Sequence, residues 1–556
     1  MSPLHRHRFK IALGFAIIAG LGLRLMMVVR SGWRIDYDEA MIGLLGLRVL
    51  RGEWPIFVPA QPTLGAIEAY LLAPVFAVLG TSAVTFRMVS LALSAAYIAS
   101  TGLLARRAYG DRAGGLAALL AGIAPPYMMV GSLKTWGATI ETIILGNLLL
   151  VAVANAIEER EGQRKQLLNL AAMGFITGVM FWIAWLGAYY FIPAVLLLLW
   201  RGRRALVRGW WSAAIGFLMG SLPFWIFNLS HDLATFSVSL GGTPLTAVER
   251  SAILEHTWVD VLPRLVSGDP TWRIAGPRGL MALLGLYYGG LLCLLAWPAV
   301  HKFFPQRGTR LRWMLAIFVL VLPLLYLFSS YSRNALNPWK LDATGRYVLM
   351  LHTALPIGVA ALAGTSPPRR RPLTNLGGTP SPDLERGKMR AAKQEVVRLL
   401  ATSMVLVVIG LNGLGVMRLD PMAAFDSPYY DRLPPLLDPL IEMLDAHNIT
   451  HVWTDVGIGQ VLMFQTSERI IAADYHDAQL GGLVRFPDAL EAVDAAPLAA
   501  FVVPVMVDQT NPPLQQALDA AGMTYTAIRV TPTLLLFIPD RRVDPSTVAQ
   551  GLGYQY

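Results

Sequence analysis

The sequence predicts an all-helical polytopic membrane protein of about 11 transmembrane helices, with interfacial helices in the first external loop and an external α/β domain at the C-terminus. Hydrophobic residues make up 55% of the 556-residue chain, whereas only 15% of residues are charged. Apolar runs of roughly 18 to 22 residues recur through most of the chain, and each is long enough to cross a hydrocarbon core as a helix. After about residue 418, amphipathic helical segments alternate instead with short β-branched runs, which indicates a small α/β domain.

Basic residues in the short loops predict the orientation of the chain. Arg6, Arg8 and Lys10 place the N-terminus in the cytoplasm. The later basic loops are also expected there, which requires that the apolar segment 64–80 lies at the outer interface. The alternative, in which this segment crosses, would leave several arginine-rich loops outside. The predicted spans are 11–29, 84–105, 113–131, 138–156, 167–185, 187–200, 210–228, 279–299, 312–329, 346–364 and 397–417.

Composition divides the chain into four predicted parts. These are a transmembrane core at 1–365 with its first external loop at 31–83, a cytoplasmic disordered linker at 366–395, a last transmembrane helix at 396–417 and an external domain at 418–556. The linker is rich in proline, glycine and basic residues, which favours disorder. The expected location is the plasma membrane, with the C-terminal domain outside. The formal net charge is +10, but its basic residues cluster in loops, which argues against a nucleic-acid partner.

Three carboxylates stand together in the stretch GWRIDYDEAMIGLLGLRVLRGEWP, residues 32–55, directly after the first apolar run. Asp36 and Glu39 have the spacing of a helix capping box, and Gly52 marks the end of the helix that follows. Capping does not require Asp38, which the helix would hold near the outer mouth of a cavity between spans. Two interpretations therefore stay open: capping alone, or a catalytic carboxylate at Asp38.

Two further acids and a lysine fall in the external loops. Glu68 lies on an otherwise apolar helix, which is costly unless it faces a polar cavity or a partner. Lys134 precedes Glu141 in the next external loop. A cation beside acids suits a bound phosphate whose sugar needs a nearby base, although contact with lipid headgroups explains Lys134 equally well.

Charged residues outside these loops give weaker signals. Lys340 and Arg346 stand at the mouth of a late span, where the pair Arg346 and Tyr347 is also typical of simple helix anchoring. Asp455 and Asp474 in the C-terminal domain are interpreted as strand-end and turn acids, with glycan binding as the less favoured alternative.

The first-loop motif resembles that of membrane glycosyltransferases with the GT-C fold, the broad group of protein mannosyltransferases and aminoarabinose transferases. Asp38 and Glu39 match the Asp-Glu pair that opens a juxtamembrane helix in that group, and Gly52 and Pro55 match its Gly-x-x-Pro ending. Further matches are the non-crossing helix AQPTLGAIEAYLLAPVFAVLG, the arginine after it (Arg87), and the Arg-Tyr motif at Arg346 and Tyr347. The chain departs at Gln61-Pro62-Thr63, where many relatives carry Lys-Pro-Pro or His-Pro-Pro, and in the second external loop, where many carry an Asp.

The resemblance implies transfer of a monosaccharide from a polyprenyl-phosphate donor to a glycan, lipid or protein acceptor at the outer membrane face, with inversion. Asp38 would be the general base, with Glu39 beside it. Glu68 and Glu141 would orient the acceptor or an ion. Contacts to the donor or its phosphate would come from Lys134, Lys340, Arg346 and Tyr347. No cofactor is required, although the oxygen ligands of Asp38, Glu68 and Glu141 are compatible with a divalent cation.

Two other classes compete with the enzyme. A transporter or flippase of a lipid-linked or small substrate would be expected to show inverted repeats and ionisable residues at mid-membrane depth. A non-catalytic assembly protein would use the external domain alone. The acids collect in the first external loop, which favours the glycosyltransferase.

Overall fold

The computed structural model describes residues 3–135, 137–158, 162–240, 245–266, 308–329, 331–333, 345–364, 396, 399, 402–403, 405–425, 437–474 and 484–552. These divide into two compact units. The helical unit comprises Met1–Met27, Leu91–Leu133 and Gly137–Asp420, and the loop–sheet unit comprises Val28–Ser90, Lys134–Trp136 and Pro421–Tyr556. Lys340, the predicted linker 366–395 and the predicted span 279–299 lie outside the described residues.

The helical unit contains long apolar helices joined by short connections. The α-helices that lie in it or enter it are Pro3–Arg30, Ala83–Tyr109, Asp111–Gly122, Pro126–Gly131, Thr139–Glu158, Gln163–Ile183, Ala188–Arg201, Arg203–Gly220, Leu222–Ser230, Ala234–Leu240, Ala247–His256, Leu262–Val266, Thr309–Phe328 and Leu355–Gly364, followed by the apolar helix Val405–Arg418. Short 3-10 helices occupy Trp185–Gly187 and Arg346–Thr353, and Thr257–Val261 is a π-helix.

Five of the described helices are long and apolar enough to cross a membrane, namely Arg8–Arg30, Ala83–Tyr109, Thr139–Ile157, Gln163–Ile183 and Thr309–Phe328. A sixth span results if Arg203–Gly220 and Leu222–Ser230, which meet at a bend of 61°, count as one. These segments agree with six of the predicted spans. The full number of eleven stays a prediction.

The predicted continuous span 113–131 is wrong in form, because the structure breaks it into Asp111–Gly122 and Pro126–Gly131. Adjacent prolines at 125 and 126 cause the break, since a residue before proline is disfavoured in helical conformation. The buried guanidinium of Arg24 donates to the carbonyl oxygens of Gly122 (2.8 Å) and Ala121 (3.3 Å) at the broken end. These bonds satisfy backbone groups that an apolar environment would otherwise leave unpaired.

The helices Gln163–Ile183 and Arg203–Gly220 pack through glycines spaced four residues apart. Gly174 and Gly178 on one helix, and Gly216 and Gly220 on the other, each approach the backbone of the partner helix so closely that a Cβ atom would overlap it. Small residues at this spacing let two helix backbones pack at short distance, which is a common source of helix association in membranes.

The loop–sheet unit contains the first-loop elements and a mixed sheet. Its first-loop elements are the helix Tyr37–Leu50, the strands β1 (Phe57–Val58) and β2 (Gln61–Gly65), and the helix Ile67–Leu79. Its later strands are β3 (His451–Trp453), β4 (Ile471–Ala473), β5 (Ala500–Pro504), β6 (Tyr525–Thr531) and β7 (Leu534–Pro539). Its later helices are Pro421–Ala424, Asp438–Ala446, Val456–Gln465, Pro487–Ala495 and Pro513–Ala520, and the 3-10 helix Pro545–Gly551 follows them.

The five later strands form one sheet in the order β4-β3-β5-β7-β6. The pairs β3–β4 and β3–β5 are parallel, whereas β5–β7 and β6–β7 are antiparallel. Helices connect the parallel strands, as the alternation of helical and β-branched segments predicted. The α/β character of the C-terminal region is therefore observed.

One hydrophobic core joins the first-loop helices to this sheet. It includes Met41, Leu45 and Leu72 from the first loop together with Leu462 and Leu536 from the C-terminal region. The first loop and the C-terminal α/β region thus fold as one unit. This shared core is not predictable from the sequence, because no local pattern specifies which distant apolar face a helix will meet.

The glycine packing yields a first prediction. We expect Gly178→Ala to destabilise the protein by roughly 1–3 kcal/mol, because the new methyl group meets the backbone of the opposing helix. The apparent melting temperature of the detergent-purified protein measures the effect. Gly14→Ala is the matched control, since open space surrounds Gly14 and alanine favours the helix. Equal melting temperatures for the two variants would contradict the packing assignment.

Candidate active site

The first-loop helix Tyr37–Leu50 begins with the capping box that the sequence predicted. The amide of Glu39 donates to Oδ1 of Asp36 (2.9 Å), and the amide of Asp36 donates to Oε2 of Glu39 (3.1 Å). The helix ends before Gly52, whose φ of +92° is available to glycine at little cost. The capping prediction for Asp36 and Glu39 is confirmed.

Glu39 also forms a fully buried ion pair. Nη1 and Nη2 of Arg87 lie 2.5 and 2.8 Å from the two carboxylate oxygens of Glu39, and both side chains are completely buried. Nη2 of Arg87 additionally donates to the carbonyl oxygen of Arg34, and the ring centroid of Phe425 lies 4.7 Å from Cζ of Arg87. Burial raises the pKa of Glu39, and the guanidinium of Arg87 opposes that shift.

Asp36 is paired with Lys134, which lies shortly before the helix Thr139–Glu158. Nζ of Lys134 lies 2.8 Å from Oδ2 of Asp36, and each side chain is 1% exposed. The charges of Asp36, Glu39, Arg87 and Lys134 therefore sum to zero in a buried cluster, which we call the first-loop charge cluster. Buried ions require such compensation, because the interior solvates them poorly.

Asp38 differs from the two acids beside it. It is the second residue of the helix Tyr37–Leu50 and stays partly exposed, whereas Asp36 and Glu39 are buried. Because the capping box and the ion pairs fix the residues on both sides of Asp38, its backbone position is defined. The helix N-terminus also carries partial positive charge, which favours an ionised carboxylate.

The remaining predicted site residues fall into the two units. Glu68 is the second residue of the helix Ile67–Leu79 in the loop–sheet unit and is 5% exposed. Glu141 lies in the first turn of Thr139–Glu158 in the helical unit and is 4% exposed. In the same unit, Nη2 of Arg346 donates to the hydroxyl oxygen of Tyr347 (3.0 Å), and both residues are partly exposed.

The described residues do not bring three His, Cys, Asp or Glu side chains to one place where they could hold a metal ion. Asp36 and Glu39, the two best-placed carboxylates near Asp38, are already neutralised by Lys134 and Arg87. Asp36 and Glu39 thus do not offer a free donor set for a divalent cation, and the cation site at Asp38, Glu68 and Glu141 stays a prediction from the sequence.

Arg87 is a residue of the site to which the sequence alone assigned no role. It is the fifth residue of the helix Ala83–Tyr109 and lies 48 residues after its partner Glu39. Its signal in the sequence was an arginine inside the outer end of an apolar span, where a charge without a partner is costly. That signal predicts a partner but does not identify it.

Comparison with solved structures shows that the chain has the GT-C fold. A structure of ArnT from Cupriavidus metallidurans bound to undecaprenyl phosphate matches with a TM-score of 0.60 at 12% identity, over 94% of this chain and 98% of that chain. A structure of the Archaeoglobus fulgidus oligosaccharyltransferase in complex with zinc and sulfate matches with a TM-score of 0.51 at 13% identity, over 97% and 76% of the two chains.

A second Archaeoglobus fulgidus structure, of the oligosaccharyltransferase AglB with an inhibitory peptide and a dolichol-phosphate, matches with a TM-score of 0.50 at 12% identity, over 99% of this chain and 78% of that chain. ArnT and AglB are both glycosyltransferases of the GT-C type, so the fold that the sequence resemblance implied is confirmed. No family model and no curated protein matches the chain.

The Glu39–Arg87 ion pair yields a prediction on stability. We expect Arg87→Met to cost about 3–5 kcal/mol, because it leaves the Glu39 carboxylate buried without its counter-ion. The apparent melting temperature in detergent measures the loss. The matched control is Arg469→Met, which breaks an ion pair with Asp445 whose side chains are about half exposed, and its loss of stability should be much smaller because solvent screens the pair. Equal losses in the two variants would show that the buried pair has no special role.

The same variant yields a prediction on pH. Without Arg87, the strongest interaction that opposes the effect of burial on the pKa of Glu39 is lost, so the folded state holds the proton of Glu39 to higher pH than the unfolded state does. Stability of Arg87→Met should therefore rise relative to the wild-type protein as pH falls from about 8 to about 5. Melting temperatures across that range test this. A constant difference between the two proteins would show that Glu39 does not carry the effect.

Proposed function

We propose that the protein transfers a monosaccharide from a polyprenyl-phosphate donor to an acceptor at the outer face of the membrane, with inversion at the anomeric carbon. The observation that carries this proposal is the first-loop charge cluster. It fixes the helix start so that Asp38 remains as the partly exposed carboxylate, in a chain with the GT-C fold. The ArnT structure is bound to undecaprenyl phosphate, which supports a lipid-linked donor.

The proposed reaction is a single displacement. The carboxylate of Asp38 accepts the proton of the acceptor hydroxyl, whose oxygen forms a bond to the anomeric carbon of the sugar. The bond between that carbon and the phosphate oxygen breaks, and polyprenyl phosphate leaves with the electron pair. A phosphate monoester dianion is a stable leaving group once cations balance its charge, so the reaction needs no general acid.

We assign other roles to the remaining site residues. Glu39 is a positioning residue, because both of its oxygens are held by Arg87 and the helix cap. Lys134 is assigned to the donor phosphate, with Asp36 positioning its ammonium group, which has three donor hydrogens.

From the helical unit, Arg346 and Tyr347 are assigned to the donor phosphate, as is Lys340 from the sequence alone. Glu68 and Glu141 are assigned to orienting the acceptor. The N-terminus is assigned to the cytoplasm and the C-terminal region to the outside.

Sugar transfer from a panel of radiolabelled polyprenyl-phosphate sugars tests the proposal. We expect Asp38→Asn to lower kcat by roughly 10²- to 10⁴-fold, the usual contribution of a general base, while the protein keeps its melting temperature. Asp445→Asn is the matched control, since Asp445 is an exposed carboxylate paired with Arg469 in the C-terminal region.

Wild-type turnover that persists in Asp38→Asn would return Asp38 to a purely structural role. Absence of turnover with every donor in the panel would overturn the transferase proposal and favour the transport of a lipid-linked substrate.

A further inference from the structure

The sheet of the loop–sheet unit changes its winding direction beside β3. The helix Val456–Gln465 leads from β3 to β4 on one side, whereas the connection from β4, which contains the helix Pro487–Ala495, leads back past β3 to β5. The topological switch point of the sheet therefore lies between β3 and β5, and the carboxyl ends of β3 and β4 lie beside it. In open α/β sheets, ligands bind in the crevice outside such a point.

A cleft lies beside this point, at the carboxyl ends of β3 and β4. Its enclosed part measures about 40 Å³ and opens to solvent, and its polar lining comes from Asp455, Gln460, Asp474 and Arg485. Its apolar lining includes Met463 and the side chains of Phe486 and Leu490. None of these residues has a part in the proposed transfer reaction.

The cleft is not built for a phosphate or another anion. The amide of Val456 donates to Oδ2 of Asp474 (2.8 Å), and the amide of Gly457 donates to Oδ1 of Asp455 (2.6 Å). These amides form the N-terminus of the helix Val456–Gln465, where α/β proteins commonly bind phosphate groups. Two carboxylates of this chain already occupy that position and would repel an anion.

Gln460 places a hydrogen-bond acceptor without a donor in the cleft. Its side chain is 2% exposed, lines the cleft, and has a buried Oε1 atom without a hydrogen-bond partner among the described residues. A buried carbonyl oxygen without a hydrogen-bond partner is destabilising, and the large majority of buried polar atoms in folded proteins have such a partner. A ligand that donates a hydrogen bond into the cleft would satisfy it.

The remaining lining narrows the ligand to a neutral one. The guanidinium of Arg485 and the positive end of the helix Val456–Gln465 offset most of the charge of Asp455 and Asp474, so the cleft is close to neutral. Nη1 of Arg485 donates to the sulfur of Met41 (2.9 Å), a weak acceptor that a hydroxyl oxygen would replace well. Oxygen acceptors, one guanidinium donor and apolar surfaces together match the hydroxyl groups and apolar ring faces of a saccharide.

We propose that this cleft is a saccharide-binding subsite for a neutral sugar unit of the acceptor. This proposal rests on the proposed transferase function, because the bound sugar is an acceptor unit only if the protein transfers a sugar to it. The proposal modifies the alternative in which Asp455 and Asp474 bind a glycan. The two aspartates instead accept hydrogen bonds at the helix terminus and exclude anions, and Gln460 contacts the sugar.

The test measures binding of fluorescent neutral oligosaccharides of glucose, galactose, mannose, arabinose and N-acetylglucosamine to the full-length detergent-purified protein. The protein carries Asp38→Asn, so that catalysis does not consume the probe. We expect at least one oligosaccharide to bind at millimolar concentration or below. Gln460→Met, which keeps the side-chain length but removes the acceptor, should weaken that binding about tenfold.

Gln465→Met is the matched control, since Gln465 lies on the same helix, is exposed and does not line the cleft. It should leave binding unchanged. Hydrogen exchange gives a readout that needs no variant at the cleft: the bound saccharide should slow exchange of the amides at 456–460 and 484–490 more than elsewhere in the sheet.

Two results would overturn the subsite. In the first, no oligosaccharide in the panel binds. In the second, Gln460→Met leaves binding unchanged and the bound saccharide does not slow exchange of the cleft amides. Donor turnover is measured separately on protein that retains Asp38. Saccharide binding at the cleft without turnover would support the subsite and contradict the transferase function. Turnover without such binding would support the transferase function and contradict the subsite.

Discussion

The buried ion pair between Glu39 and Arg87 is the interaction on which the candidate site depends. Glu39 serves two partners at once, the amide of Asp36 at the helix start and the guanidinium of Arg87. Arg87 in turn holds the carbonyl oxygen of Arg34 on the segment that enters the helix. Because an uncompensated charge in this environment would be costly, the pair admits few alternative arrangements. Asp38 is thereby held at a defined place without having to be buried itself.

A second constraint is the shared core of the first loop and the C-terminal sheet. Gly43 on the helix Tyr37–Leu50 faces the ring of Phe464 so closely that any side chain at residue 43 would overlap the ring. Leu44 and Leu45 belong to the same core as Leu462. The helix that carries the acids therefore packs on residues more than 400 positions later, and the C-terminal region has a direct structural part in placing them.

The helical unit is stabilised in another way. Its glycine contacts bring backbones together, and its buried polar groups pair with one another: Nδ2 of Asn147 donates to Oγ of Ser100 (3.0 Å), and the hydroxyl of Thr353 donates to Oδ1 of Asn147 (2.8 Å). The hydroxyl oxygen of Tyr190 lies 2.7 Å from that of Thr353. Helices in lipid gain little from burying apolar surface, because lipid tails are themselves apolar. Close packing and internal hydrogen bonds therefore hold such helices together.

The sequence by itself determined the features that depend on neighbouring residues. Apolar run length indicated the membrane helices, the spacing of Asp36 and Glu39 gave the capping box, and alternating patterns gave the C-terminal α/β character, because each is a local property of the chain. The adjacent prolines at 125 and 126 also predict a helix break, which the length of the apolar run does not indicate. Only the tertiary structure decided that Arg87 neutralises Glu39, that Lys134 pairs with Asp36, and that the first loop shares its core with the sheet. Those partners are far apart in the chain, and charge or hydrophobicity at one position specifies that a partner is needed without specifying which residue the fold will bring to it.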